Sequence, residues 1–391
     1  MSKENLMNTY SRFNLILDNG YRSNVKDING KEYLDFVSGI AVNCLGHANL
    51  KILETINKQA SKLMHVSNLF WTEPMIKLAG KLAEYSDLDQ TFFCNSGTEA
   101  NEVALKLARK YGKLSGGQNK TEIIYANNSF HGRTMGALSL TGQAKYKEAF
   151  SPLVPSTIAV DFNDTKSLEN AFNENTCAIF LEPIQGEGGI VTIDKNFLET
   201  ARDLCNKYDA LLVFDEVQTG IGRLGTLFAY QSFGIIPDII TMAKGLGGGF
   251  PIGACLASKK AAKAFEPGDH GNTFGGNPLA CSISLTILDE IIRANLLDNV
   301  NTMGAYLKER LYALKNKYPL IKAVKGMGLL LGLELAISPK EFQDACFNNH
   351  LLLVAAGNNT IRILPPLNVN KSEIDEMLLA LEKSIKECYL T

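Results

Sequence analysis

Between about residue 75 and residue 257 the chain alternates short apolar runs with longer amphipathic stretches, and this alternation limits the fold more than any other feature. The runs are Thr91 to Cys94, Glu122 to Tyr125, Thr157 to Val160, Cys177 to Leu181, Leu211 to Phe214, Asp238 to Met242 and Gly253 to Ala257. Each has the length of a strand, and helical stretches lie between most of them. Parallel neighbours need a crossover connection, so the pattern predicts an α/β architecture: a largely parallel sheet covered by helices on both faces. Ligands bind such sheets at the carboxyl ends of the strands, which singles out the residues that follow each run.

Lys244 is one of these. It ends the run after Pro237 and is followed by glycines 245, 247, 248 and 249. An ammonium at the end of a buried strand loses hydration and its pKa falls, which is how a lysine becomes a nucleophile or Schiff-base former. The glycines let the backbone turn against a bulky group. A surface lysine beside a flexible loop is the plain alternative.

Other strand ends carry comparable signals. Asn95 to Ala100 (NSGTEA) opens a helix, with Ser96 and Glu99 spaced as a capping box and Gly97 and Thr98 placed to offer donors to a phosphate; an ordinary cap is the alternative. Asp215 and Glu216 follow the strand ALLVF and are expected on the same sheet edge as Lys244, either as site acids or as a structural ion pair. A Schiff-base lysine, an acid for a pyridinium nitrogen and a phosphate cradle are what pyridoxal phosphate requires. In SFHGRT (129 to 134), Phe130 could cover a ring and Arg133 could clamp a carboxylate, while His131 is read as structural. Glu187 lies in the glycine-rich QGEGG, and Arg362, set between isoleucines, needs a partner if buried.

Composition excludes several classes. Charged residues make up 20% and the net charge is −2, so no basic excess points to nucleic acid. The eight cysteines are scattered without a C-x-x-C pair and read as reduced core residues of a cytoplasmic protein. The run GMGLLLG near Gly326 misses the dinucleotide spacing, Lys244 precedes its glycines where a P-loop lysine would follow them, and no zinc-ligand spacing is present. No apolar run reaches membrane-spanning length, and the first residues lack the apolar core of a signal peptide.

The ends differ in texture. Asn29-Gly30 predicts a hairpin turn, and Lys51 to Met64 a helix. After Pro278 long helices are expected over Leu279 to Arg293 and Leu296 to Tyr318. Strands follow near Ile321 to Leu335, Leu351 to Val354 and Ile361 to Ile363, then a final helix from Ser372 capped by Ser372 and Asp375. The expected division is residues 1–50 joining a small domain, 51–285 as a large domain, and 286–391 as a small α+β domain.

Taken in order, SGIAVNCLGH (38 to 47), NSGTEA, SFHGRT, EPIQGEGG (182 to 189), FDEVQTGIGR (214 to 223), AKGLGGGFPIGA (243 to 254), NTFGGNP (272 to 278) and RILPPLN (362 to 368) resemble the class III aminotransferases among the fold-type I pyridoxal-phosphate enzymes. Within that family the motifs most resemble those of the acetylornithine aminotransferases. The resemblance implies that Lys244 carries the cofactor and moves the proton, that Asp215 faces the pyridine nitrogen with Glu216, Val217 and Gln218 alongside, and that Gly97 and Thr98 bind the phosphate. It implies that Phe130 stacks on the ring and that Thr273 reaches the phosphate of a neighbouring subunit, hence a homodimer with shared sites.

For substrate the resemblance implies N-acetylornithine with 2-oxoglutarate and glutamate. Arg133 would take the carboxylate distant from the reacting carbon. Arg362 would take the α-carboxylate of glutamate, and Glu187 would pair with it when the acylated amine is bound. Asn272 stands where the family has a small hydroxyl residue expected to touch substrate, and Asn49-Leu50 replaces a usual His-Pro. Gly39 and Ile40, expected at the site entrance, suit an acylated amine. Ornithine, succinylornithine, succinyl-diaminopimelate and 4-aminobutyrate aminotransferases, and the glutamate-1-semialdehyde aminomutase, stay open as alternatives.

Overall fold

The central sheet has seven strands, in the spatial order Gln90–Cys94, Gly253–Ala257, Ile239–Met242, Leu211–Asp215, Thr176–Leu181, Glu122–Ala126 and Thr157–Val160. This computed structural model describes residues 5–390, with side chains to residue 388. Only Gly253–Ala257 runs against the others, pairing antiparallel on both sides with Ile239–Met242 and Gln90–Cys94. The remaining strands share one direction, so their carboxyl ends form one edge.

Burial on both faces explains why these strands read as unbroken apolar runs. Ile124, Ile179, Leu212, Phe214, Ile240 and Leu256 point into one core, with Phe197, Ala201 and Cys205 from the helix Lys195–Tyr208. The residues between them, Ile123, Phe180, Leu211, Val213, Ile239 and Cys255, point the other way, against Val103, Leu107 and Tyr111 of the helix Gly97–Gly116. Side chains alternate across a strand, so each strand feeds both layers.

The ends of the chain share sheets. The hairpin strands Asn24–Asp27 and Glu32–Asp35 turn at Gly30, whose φ of 80° suits glycine, and Glu32–Asp35 pairs parallel with Leu351–Leu352. The expected strand Leu351 to Val354 is therefore two: Leu351–Leu352 joins the N-terminal sheet and Val354–Ala356 pairs with Thr360–Ile363. Together with Ile321–Met327 and Leu330–Leu335 the latter two form a four-stranded antiparallel sheet.

Two local expectations need correction. The last helix is Lys371–Leu390 and its box is Asn370 with Glu373, each accepting the other's backbone N–H; Asp375, expected in that role, instead accepts the Tyr306 hydroxyl. The helix expected over Lys51 to Met64 spans Leu50–Ala60, and Asn49 caps it by accepting from the amides of Lys51 and Ile52. That cap explains an asparagine at this position. Residue 285, near which the large and small domains are expected to meet, lies within the helix Pro278–Arg293.

Candidate active site

Glycines, one lysine and several acids at the carboxyl edge of the sheet enclose a cavity of about 390 Å³. Gly97, Thr98, Phe130, Arg133, Glu187, Asp215, Val217, Gln218 and Lys244, all singled out from the sequence, line it.

Lys244 follows the strand Ile239–Met242 in a left-handed conformation, φ 42°, which turns its side chain into the cavity mouth of the glycine loop. Burial pushes its ammonium down to about 8, with the charge of Glu187 opposing. Asp215 ends the neighbouring strand. Its Oδ2 accepts from His131 Nδ1 and from Asn101 Nδ2, both at 2.8 Å, and its Oδ1 accepts from the Val217 amide at 3.0 Å. A carboxylate cannot donate, so His131 carries its proton on Nδ1; its Nε2 is buried and has no partner among the described residues.

Asn101 also donates to the His131 carbonyl at 2.6 Å and accepts the Thr241 hydroxyl at 2.8 Å. It locks the aspartate to the helix, the loop and the next strand. The sequence reading missed this residue, although a buried asparagine on an otherwise apolar helix face was its signal. His131 was read as structural, and it buttresses Asp215 directly. Glu182, also missed, lies just past the end of the strand Thr176–Leu181; burial first, and the Asp215 charge second, hold its carboxyl well above the usual range. Its Oε2 accepts the Phe130 amide at 3.0 Å.

The helix start is more specialised than a capping box. Ser96 Oγ accepts the Glu99 amide at 3.3 Å, but the Glu99 carboxylate reaches past Ser96 to the backbone and side-chain nitrogens of Asn95. The first intrahelical bond runs from Ala100 to Ser96, so the amides of Gly97 and Thr98 precede it and open toward the cavity. Thr98 Oγ1 accepts from the amides of Arg133 at 3.2 Å and Thr134 at 3.3 Å. Thr134 spends its own proton on Glu102, so the Thr98 hydroxyl donates to Thr134, and what Thr98 has left for an anion is its backbone amide. Gly97 lies against Val217: a Cβ there would sit 2.7 Å from Cγ1 of that valine.

Arg362 is fully buried behind the lining. Its Nη1 donates to Glu187 Oε1 at 2.5 Å, to Gln218 Oε1 at 2.9 Å and to the Gly186 carbonyl at 3.0 Å, while its Nε is buried with no partner among the described residues. Glu187 and Gln218 line the cavity and so stand between it and the guanidinium. Burial alone would raise the Glu187 carboxyl, yet the charge and hydrogen bond of Arg362 hold it below the usual range.

Five further expected residues lie off this cavity. Glu216 is turned from the cavity: its carboxylate accepts the amides of Ala229 at 2.6 Å and Tyr230 at 2.8 Å, capping a short turn, and burial pushes it up to about 7. Asn272 does not line the cavity either. Its Nδ2 donates to the Phe93 carbonyl at 2.9 Å and its Oδ1 accepts the Gly275 amide, so it pins its own loop. Thr273 is exposed and outside the cavity of its own chain. From the segment with Gly39 and Ile40, Val42 is the residue on the lining.

The donor set fits pyridoxal phosphate. An amine, a buttressed carboxylate, an aromatic ring and a helix start with free amides at Gly97 and Thr98 converge on one cavity. Among the described residues no group of His, Cys, Asp and Glu could hold a metal ion, and no helix is long and apolar enough to cross a membrane.

Comparison with known proteins agrees with this geometry. The family model for class III aminotransferases matches residues 7–385. The chain is 54% identical over 387 residues to the acetylornithine aminotransferase of Clostridium acetobutylicum, covering 99% of this chain and 100% of that one. It is 45% identical over 367 residues to the succinylornithine transaminase of Photorhabdus laumondii, covering 93% and 91%. The crystal structure of the ornithine aminotransferase from Toxoplasma gondii superposes with a TM-score of 0.95 at 31% identity, over 99% of this chain and 94% of that one. A matched family model over almost the whole length and relatives this similar leave one conclusion for the fold and the reaction class: the chain belongs to the class III aminotransferases, with their fold-type I architecture.

Proposed function

We propose that this aminotransferase moves the terminal amine of N-acetylornithine to 2-oxoglutarate, using pyridoxal phosphate, in arginine biosynthesis. The observation that carries the reading is the Glu187–Arg362 pair at 2.5 Å, whose glutamate shares the cavity wall with Lys244 and Arg133. N-acetylornithine brings no carboxylate to its reacting carbon, and the paired Arg362 presents none of its charge there. Glutamate and 2-oxoglutarate do bring one, and Arg362 with its unpartnered Nε is then the group to receive it.

Pyridoxal phosphate, when bound, supplies a carbonyl that takes up the amine and a ring that accepts the electrons released as the substrate C–H bond breaks. Lys244 Nζ is the attachment point and, once released, the base that carries the proton at the reacting carbon; its lowered pKa keeps a useful fraction unprotonated near neutrality. Asp215, held by His131 and Asn101, would keep a proton on the ring nitrogen. The amides of Gly97 and Thr98 would hold the phosphate, and Phe130, Val217 and Gln218 would enclose the ring. Arg133 grips the distal carboxylate of either substrate.

The reading includes a homodimer. Thr273 is exposed off its own cavity, which suits a role in a neighbour's site. The stretch Leu69 to Trp71, with Leu69 85% and Trp71 83% exposed, supplies apolar surface for a partner. The free cysteines, all but Cys388 buried, suit the cytoplasm.

The test is kcat/KM with 2-oxoglutarate for N-acetylornithine, N-succinylornithine, ornithine, 4-aminobutyrate and N-succinyl-diaminopimelate. A clear preference for N-acetylornithine supports the reading, and preference for another amine replaces the substrate while keeping the reaction.

A further inference from the structure

Arg133 sits on the cavity wall with an unusual neighbour. Its guanidinium carbon lies 4.0 Å from the ring centroid of Tyr146 and 5.6 Å from that of Phe130, and the two rings meet edge to face at 5.9 Å. Among the described residues no carboxylate pairs with Arg133. A guanidinium laid on an aromatic face is held by its π cloud while its N–H edge, which lies in its own plane, stays open. The loop beneath is fixed too, since the Arg133 amide donates to Thr98 Oγ1 at 3.2 Å. The turn that carries Tyr146 is anchored by Lys147 Nζ, which donates to the Tyr125 hydroxyl and the Ser139 carbonyl, both at 2.9 Å. Lys145 Nζ, 4.8 Å from the same ring, adds positive charge beside it.

We propose that Tyr146 is a positioning residue for substrate recognition: its ring aligns Arg133 so that the guanidinium fork meets the carboxylate remote from the reacting carbon. The proposal rests on the assignment of Arg133 under the proposed function. It makes selectivity for substrates with a distal carboxylate depend on a residue that need not touch the substrate. An arginine without this ring would have to be ordered by the substrate itself, and binding would weaken.

The holoenzyme tests this with Tyr146→Ala and Tyr146→Phe. For N-acetylornithine, Tyr146→Ala should raise KM about five- to tenfold with kcat within about twofold, and Tyr146→Phe, which keeps the ring, should stay within about twofold of the parent. N-acetyl-1,4-diaminobutane, the same amine without the carboxylate, should show no change in KM. The inhibition constant of glutarate against 2-oxoglutarate should rise with Tyr146→Ala and recover with Tyr146→Phe. An unchanged KM, a fall in kcat alone, equal losses on both amines, or failure of phenylalanine to restore binding would each overturn the proposal, as would a parent enzyme that glutarate does not inhibit. If the parent prefers an amine other than N-acetylornithine, the substrate assignment falls while the glutarate series still decides the role of Tyr146.

Discussion

Glu187 Oε1 and Arg362 Nη1 are 2.5 Å apart, and the carboxylate of the pair stands between a fully buried guanidinium and the cavity. Removing one member of such a pair leaves the other charge buried and uncompensated, while the pair itself is close to neutral in energy. The consequence differs between the two half-reactions. Arg362→Ala should lower kcat/KM for glutamate and 2-oxoglutarate by about 100-fold or more, and for N-acetylornithine by far less. Glu187→Ala should lower KM for 2-oxoglutarate, because the substrate no longer competes with an internal carboxylate. Single-turnover absorbance changes measure each half-reaction, and equal losses in both for Arg362→Ala would count against the switch.

Lys244 gives a pH signature. Its folded pKa of about 8 lies below the ordinary 10.5, so between these values the unfolded chain holds a proton that the folded chain has released. Stability of the cofactor-free protein should therefore rise as pH increases from 8 to 10.5 and carry a constant penalty below pH 8. Over the same protein, the rate of pyridoxal phosphate uptake should climb with a midpoint near 8, followed by stopped-flow absorbance. Lys244→Ala should abolish turnover and remove both pH effects.

Asn101→Ala removes the bonds to Asp215, to the His131 carbonyl and to Thr241 in one step. Each deserted partner is buried, so the loss should be about 2–3 kcal/mol in denaturant unfolding of the cofactor-free protein. Cofactor retention on dialysis should fall as well. A variant as stable as the parent would show that Asp215 does not depend on this lock.

Asn272 is held by Phe93 and Gly275, which argues against a direct hand in choosing the amine. Asn272→Thr should leave the ratio of kcat/KM between N-acetylornithine and N-succinylornithine within about threefold while reducing stability by about 1 kcal/mol. A larger change in that ratio would return the residue to the substrate site.

Gly97→Ala should weaken cofactor binding at least tenfold, since its Cβ would press on Val217 at 2.7 Å. Val217→Ala in the same chain should restore much of that loss. Titration of the cofactor-free protein with pyridoxal phosphate reads both.

Much of this was legible before the structure, for identifiable reasons. Strands buried on both faces announce themselves as apolar runs, and all seven of the central sheet were read within a residue at their ends. Polar residues that break such runs, Lys244 and Asp215, were visible for the same reason. Asn101 and Glu182 were not, because one sits inside a helix whose period looked complete and the other at the end of an apolar strand, where the glutamate of the following QGEGG drew the attention. Adjacency in sequence misled at Glu216: two successive residues leaving a strand point to opposite sides, so Asp215 faces the cavity while Glu216 faces the amides of Ala229 and Tyr230. The pairing of Ser372 with Asp375 failed because Asn370 offers the same chemistry two residues earlier.

The contact between Gly97 and Val217 also acts as a gauge. Gly97 opens the helix whose free amides would take the phosphate in the proposed function, and the Val217 amide is bonded to Asp215 at 3.0 Å, so the two ends of the cavity are braced against each other through bare van der Waals contact. The span from anion to acid is therefore set by the absence of one methyl group. A ligand whose phosphate and ring nitrogen stood one bond further apart would satisfy one end only, and the protein would discriminate against it by length, with no donor or charge given over to the task.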